Sequence, residues 1–87
     1  MYSGESIHVK LRTSENLMDA LIDSFGKEFR VSFGEGDDII VNLKCNPDAF
    51  FYWAMQYGQS IEVLEPESMR ERIRKASQEI YKKYMDK

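Results

Sequence analysis

A chain of 87 residues, 43% hydrophobic and 31% charged, holds one domain with a single core; that length leaves no room for a deep cleft between two lobes, and its apolar runs are too short to cross a bilayer. One cysteine, Cys45, and one histidine, His8, exclude an internal disulfide and a zinc centre built from Cys and His alone. The net charge of -3 gives no overall attraction to nucleic acid, but it is unevenly spread: residues 67–87 hold seven of the 12 basic and four of the 15 acidic side chains, leaving a positive tail on a negative body.

Residues 7–13, IHVKLRT, alternate, with Ile7, Val9 and Leu11 on one side and His8, Lys10 and Arg12 on the other, which predicts a strand buried on one face. Thr13 or Ser14 then stands where it can cap a helix over about residues 15–25, whose Leu17, Met18, Leu21, Ile22 and Phe25 recur at helical spacing until Gly26 stops it. Phe29, Val31 and Phe33 alternate with Glu28, Arg30 and Ser32. Beyond the turn GEGDD (34–38), Ile39, Val41, Leu43 and Cys45 alternate with Ile40, Asn42 and Lys44, which makes a hairpin with a wide loop.

The ring-rich stretch FFYWAMQYG (50–58) follows Asn46-Pro47, an N-cap residue with proline at the first helical position, and ends at Gly58. It is therefore a helix: Phe50, Trp53, Ala54 and Tyr57 form a core stripe, Phe51 and Met55 flank it, and Tyr52 points elsewhere. SIEVLE (60–65) reads as a last strand with Ile61 and Val63 inward, and Pro66 opens a long helix striped by Met69, Ile73, Ala76, Ile80 and Tyr84. Two strand–helix–strand crossovers joined by a hairpin predict a ferredoxin-like α+β sandwich, βαββαβ, with an additional C-terminal helix and with apolar inward residues on all four strands. Residues 1–87 are expected to form one domain, with 1–5 the remnant of a linker or an added start. The opening MYSGESIHVK lacks a signal-peptide pattern, so the expected location is the cytoplasm.

The segment WAMQYGQSIEVLEPESMRERI resembles the end of the C-terminal extension that follows the WYL domain in bacterial transcriptional regulators. Trp53, Tyr57-Gly58, the VLEP strand exit and the Ser68-Met69-Arg70 helix opening carry the likeness, and the SIHVKLR strand and the F-x-V-x-F strand extend it over roughly residues 6–84. The Tyr-Trp-Ala of residues 52–54 is not the family's name-giving tripeptide. The resemblance implies one module of a longer regulator, partnered by a ligand-sensing WYL domain and a DNA-binding helix-turn-helix in the same protein, and itself not a reader of promoter DNA. It implies a homodimer and an effector, either a small molecule or single-stranded nucleic acid.

The polar face of the predicted sheet displays His8, Lys10, Arg12, Arg30, Asn42 and Lys44. With the first and third strands as central neighbours, Lys10, Arg12 and Lys44 should cluster, and with Arg30 they form a candidate anion site; the plainer account is an ordinary wet sheet face. RNA-recognition modules share this layout but stack bases on aromatic residues of the two central strands, where this sequence has no Phe, Tyr or Trp. Tyr2 and Tyr52 are rings left outside the expected core. The last helix is longer than a small sheet can cover, so Met69, Ile73, Ile80 and Tyr84 are candidate interface residues; the alternative is a helix folded wholly on its own domain.

Catalysis has little to draw on. His8 has no nucleophile at readable spacing, and Cys45 falls on the apolar side of its strand, where a thiol is usually inert. Asp37-Asp38 is a turn without the further oxygens of a calcium loop, and there is no glycine-rich phosphate loop. No catalytic residue, metal or cofactor is expected. A regulatory module is the first reading, and a free-standing ferredoxin-like module binding a metabolite or anion the second. An acylphosphatase-like enzyme has the same topology but requires a glycine loop and a positioned Arg/Asn pair that the sequence does not show.

Overall fold

Alternation of apolar and polar side chains decides which face of this sheet is covered. In the computed structural model, which describes residues 6–85, the chain runs through strand β1 (Ile7–Ser14), a single 3-10 turn (Glu15–Leu17), helix α1 (Met18–Phe25) and strands β2 (Phe29–Phe33) and β3 (Asp38–Cys45). Helix α2 (Pro47–Gln56), strand β4 (Glu62–Glu65) and helix α3 (Glu67–Met85) follow. The four strands form one antiparallel sheet in the order β2-β3-β1-β4, so the first and third strands are central neighbours. This is the α+β class, antiparallel sheet and extra C-terminal helix that the sequence predicts. The expected linker at 1–5, with Tyr2, lies outside the described residues.

Val9 and Leu11 of β1 and Val41 and Leu43 of β3 are buried in one cluster with Leu21 of α1 and Phe50, Trp53 and Ala54 of α2. His8, Arg12, Asn42 and Lys44, at the intervening positions, are exposed on the opposite face. The rings of α2 are thus core. Trp53 lies 5.6 Å from Phe25, 5.9 Å from Phe50 and 4.9 Å from Tyr57, centroid to centroid, and the tilted and edge-on geometries suit the ring quadrupoles. The helix begins as expected, with the Asn46 side chain accepting from the N–H of Asp48 (2.9 Å) and of Ala49 (3.1 Å) and with Pro47 at its first position.

Two expectations need correction. Neither Thr13 nor Ser14 caps the first helix by its side chain; the chain enters through the 3-10 turn, and Thr13 Oγ1 donates to the carbonyl of Ser60 at 2.9 Å. Thr13 continues the inward series of Val9 and Leu11 and is itself buried, so its hydroxyl must find a partner inside. That bond ties the end of β1 to the approach of β4. Second, the inward residues of β2 are apolar but not covered: Phe29 is half-buried, whereas Val31 is 41% and Phe33 86% exposed. Their register partners Leu43, Val41 and Ile39 are all buried, so the face is the core face. The eight residues of α1 span only ~12 Å. A helix so short covers the central strands first and leaves the edge bare.

Removing the indole of Trp53 opens a cavity at the junction of both crossover helices, and Trp53→Ala should lower the unfolding free energy by ~3–5 kcal/mol in a denaturant titration. Trp53 Nε1 is buried without a hydrogen-bond partner among the described residues. Trp53→Phe keeps a ring and removes that orphan donor, so it should cost less than half as much. Burial also pushes the thiol of Cys45 up to about 11 from an ordinary 9.0. The folded state therefore holds its proton where the unfolded chain has lost it. Stability from this group is fully present below pH 9.0 and is lost as pH rises toward about 11. Alkylation at neutral pH should label Cys45 only in denaturant, and labelling of the native chain at the unfolded rate would refute its burial.

Candidate functional site

The outer face of the sheet is arranged by strand register. Asn42 of β3 stands opposite Lys10 of β1 on one side and Arg30 of β2 on the other, while Lys44, two positions along, faces His8. Lys10 and Arg30 therefore flank one exposed amide from either side, and Lys44, next along the same face of β3, lies diagonal to both at ~7–8 Å. Arg12 takes a different course. Its Nη1 lies 3.0 Å from Glu62 Oε1 on β4, and its strand neighbour across β3 is Ile40. Of the expected group, Lys10 and Lys44 occupy diagonal register positions about Asn42, Arg30 stands opposite Asn42 on the other side, and Arg12 is held by a carboxylate.

The reason is topological: β4 lies along β1 and presents acids there, Glu62 opposite Arg12 and Glu65 opposite Lys10. Glu28 joins His8, Arg30, Asn42 and Lys44 around an open basin of about 350 Å³. Point charges on long stems and an amide can hold a phosphate or carboxylate there, but three carboxylates near the same face temper the field. Stacking of bases has no Phe, Tyr or Trp to use on the outward positions of the central strands.

Helix α3 divides into a held half and a free half. Met69 is 3% exposed and belongs to the domain's own core, and Ile73 packs half-buried against it. Arg70 Nη1 donates to the carbonyl of Val63 at 2.9 Å. Arg72 Nη1 lies 3.0 Å from Asp48 Oδ1, and its guanidinium sits 4.1 Å over the ring of Phe51, clasping α3 to α2. Past Ala76 the stripe leaves the domain: Ile80 is 45% and Tyr84 77% exposed, with Tyr81 and Met85 also bare. Of the candidate interface residues, Met69 and Ile73 are spent inside the domain, and Ile80 and Tyr84 face outward.

A groove of about 340 Å³ lies between the end of α2, β4 and the first turns of α3, a feature that sequence spacing did not indicate because three separate elements build it. Ala54, Ile61, Val63 and Ile73 line it with apolar surface, and Arg70 and Arg74 stand at its rim. Both arginines are engaged: Arg70 pairs with Glu67 as well as Val63, and Arg74 pairs with Glu71, holding the Glu71 carboxyl below its usual range. Such a groove suits an amphipathic molecule better than a free anion. Among the described residues there is no group of three or more His, Cys, Asp or Glu placed to hold a metal ion, and no helix is long and apolar enough to cross a membrane.

No curated protein matches this chain. The model of one family does: the WCX domain, over residues 5–81. That span takes in all four strands, both crossover helices and the anchored half of α3. The family is associated with WYL-type regulators and is not one known for catalysis. With most of its length matched, this chain belongs to the WCX domain family.

Proposed function

We propose that this chain is the C-terminal extension of a WYL-type transcriptional regulator: a non-catalytic cytoplasmic module that joins subunits and helps pass the presence of an effector to the DNA-binding domains of the full-length protein. The observation that carries this reading is the WCX match over residues 5–81. Central first and third strands, with two helices packed on one face, support a ferredoxin-like description of the fold. The partners are the WYL and helix-turn-helix domains of the same protein and a second subunit.

Helix α3 is the part suited to transmission. Its first turns are fixed to β4 and α2 by Arg70 and Arg72, so it projects as a rigid arm, and its far end offers Ile80 and Tyr84 to another surface. An effector shifts such an assembly only by binding one arrangement of domains better than another. A second reading, a free-standing module that binds a metabolite or anion, is favoured by the cations around Asn42 and by the groove beneath α3.

Sedimentation of the chain over a range of concentrations should show a dimer, and Ile80→Lys with Tyr84→Lys should weaken it about tenfold or more if the arm carries the contact. A strict monomer at high concentration removes the joining of subunits from the reading. For the polar face, a short single-stranded oligonucleotide and inorganic phosphate are the probes. Lys10→Glu with Lys44→Glu should lower oligonucleotide affinity and reduce the salt slope by ~0.7 for each lost phosphate contact. Arg12→Glu, at a side chain already held by Glu62, should do less. Equal binding by all variants discards the anion site.

A further inference from the structure

Strand β2 is one edge of the sheet, and among the described residues β3 alone pairs with it. The phase of that pairing can be read from the hairpin. Gly34 N–H donates to the carbonyl of Asp38 at 3.0 Å, one step beyond the Phe33–Ile39 pair. Hydrogen-bonded and non-bonded pairs alternate in an antiparallel ladder, so Ser32 and Arg30 turn their N–H and C=O groups toward β3. Phe29, Val31 and Phe33 turn theirs to the open edge. The local bond from Phe29 N–H to the carbonyl of Lys27, 3.0 Å, agrees with that phase.

Two of these three residues also carry bare apolar surface, Val31 41% and Phe33 86% exposed on the face that elsewhere forms the core, while Phe29 is half-buried. An open edge with apolar side chains and no proline is a template for another strand. What the strand fits best is itself. In an antiparallel pair centred on Val31, Phe29 stands opposite Phe33 of the second copy, and Arg30 opposite Ser32 rather than opposite another arginine. Lys27 and Glu35 flank β2 at equal sequence distance from Val31 and carry opposite charge, so each end of the pair brings a cation to an anion. The outward N–H and C=O of Val31 meet their own counterparts, and Phe33 N–H meets a carbonyl of Phe29.

We propose that β2 pairs with β2 of a second copy about a two-fold axis through Val31, joining two four-stranded sheets into one. The crossover helices of both copies then lie on one face, where Phe29, Val31 and Phe33 cover one another across the seam. The cations around Asn42 lie on the other face, with Arg30 of each copy nearest the axis. The proposal rests on the self-association in the functional reading but assigns it to a different element from the arm of α3.

The test compares variants of the full chain by sedimentation, with circular dichroism as a check on folding. Val31→Pro deletes an N–H that points away from β3, a position where an edge strand tolerates proline, and should raise the dimer dissociation constant about tenfold or more. Val31→Cys should form a disulfide dimer under mild oxidation, since residues facing each other in a hydrogen-bonded pair have Cα atoms ~5.5 Å apart. Ser32→Cys, which faces Arg30 of the second copy, should not, and buried Cys45 should contribute no cross-link. A folded Val31→Pro chain that dimerises as the parent does, or Ser32→Cys that cross-links as readily as Val31→Cys, overturns the pairing. Loss of the dimer only in the Ile80→Lys, Tyr84→Lys variant assigns the contact to α3 and sinks this proposal alone; a monomeric parent chain sinks both.

Discussion

The structure depends on one packing contact, the seat of Trp53 and Phe50 of α2 on the inward side chains of β1 and β3, with Phe25 of α1 closing the ring cluster. Burial of these rings supplies a large share of the apolar area available to so small a domain, and the buried apolar residues described form this one cluster. Once that face is sealed, the remaining choices are narrow. Polar residues of the central strands are forced outward, Thr13 is trapped inside and must bond to Ser60, and β4 has to lie along β1.

That last consequence sets the electrostatics of the outer face. Alternation alone brings Lys10, Arg12 and Lys44 to one side of the sheet, but charge in a site depends on neighbours, and the neighbours come from strands distant in sequence. Glu62 is fifty residues from Arg12 in the chain and within hydrogen-bond distance in space. The result is a face of mixed sign, with Lys10 and Arg12 of β1 set against Glu65 and Glu62 of β4, and Arg30 and Lys44 on the β2–β3 side beside Glu28.

Both ends of the molecule, by contrast, leave apolar surface open. On the β4 side α3 is locked by Arg70 and Arg72 and then runs past the domain; on the β2 side the covering helix is too short. Membership of the WCX family, which is associated with WYL-type regulators, gives these surfaces a setting in the function proposed above. Fold and function are connected here through what the core fails to cover as much as through what it buries.

Local pattern along the chain determines a great deal of this architecture. The period of two in IHVKLRT and in residues 39–45, the period of the α2 stripe, the Asn46-Pro47 start and the Gly26 stop are short-range signals, read from neighbours a few residues apart, and each appears in the structure as an element of that type. The inert placement of Cys45 followed from the same alternation. Spacing could not say whether an apolar face is covered, since that depends on the length and placement of a helix elsewhere: Val31 and Phe33 look like core in sequence and stand open in space. Nor could it divide the α3 stripe into buried Met69 and exposed Tyr84, pair Arg12 with Glu62, or assemble the groove from α2, β4 and α3. Those were decided by tertiary contacts, because burial and charge pairing are properties of surfaces brought together by folding and not of the order of residues along a chain.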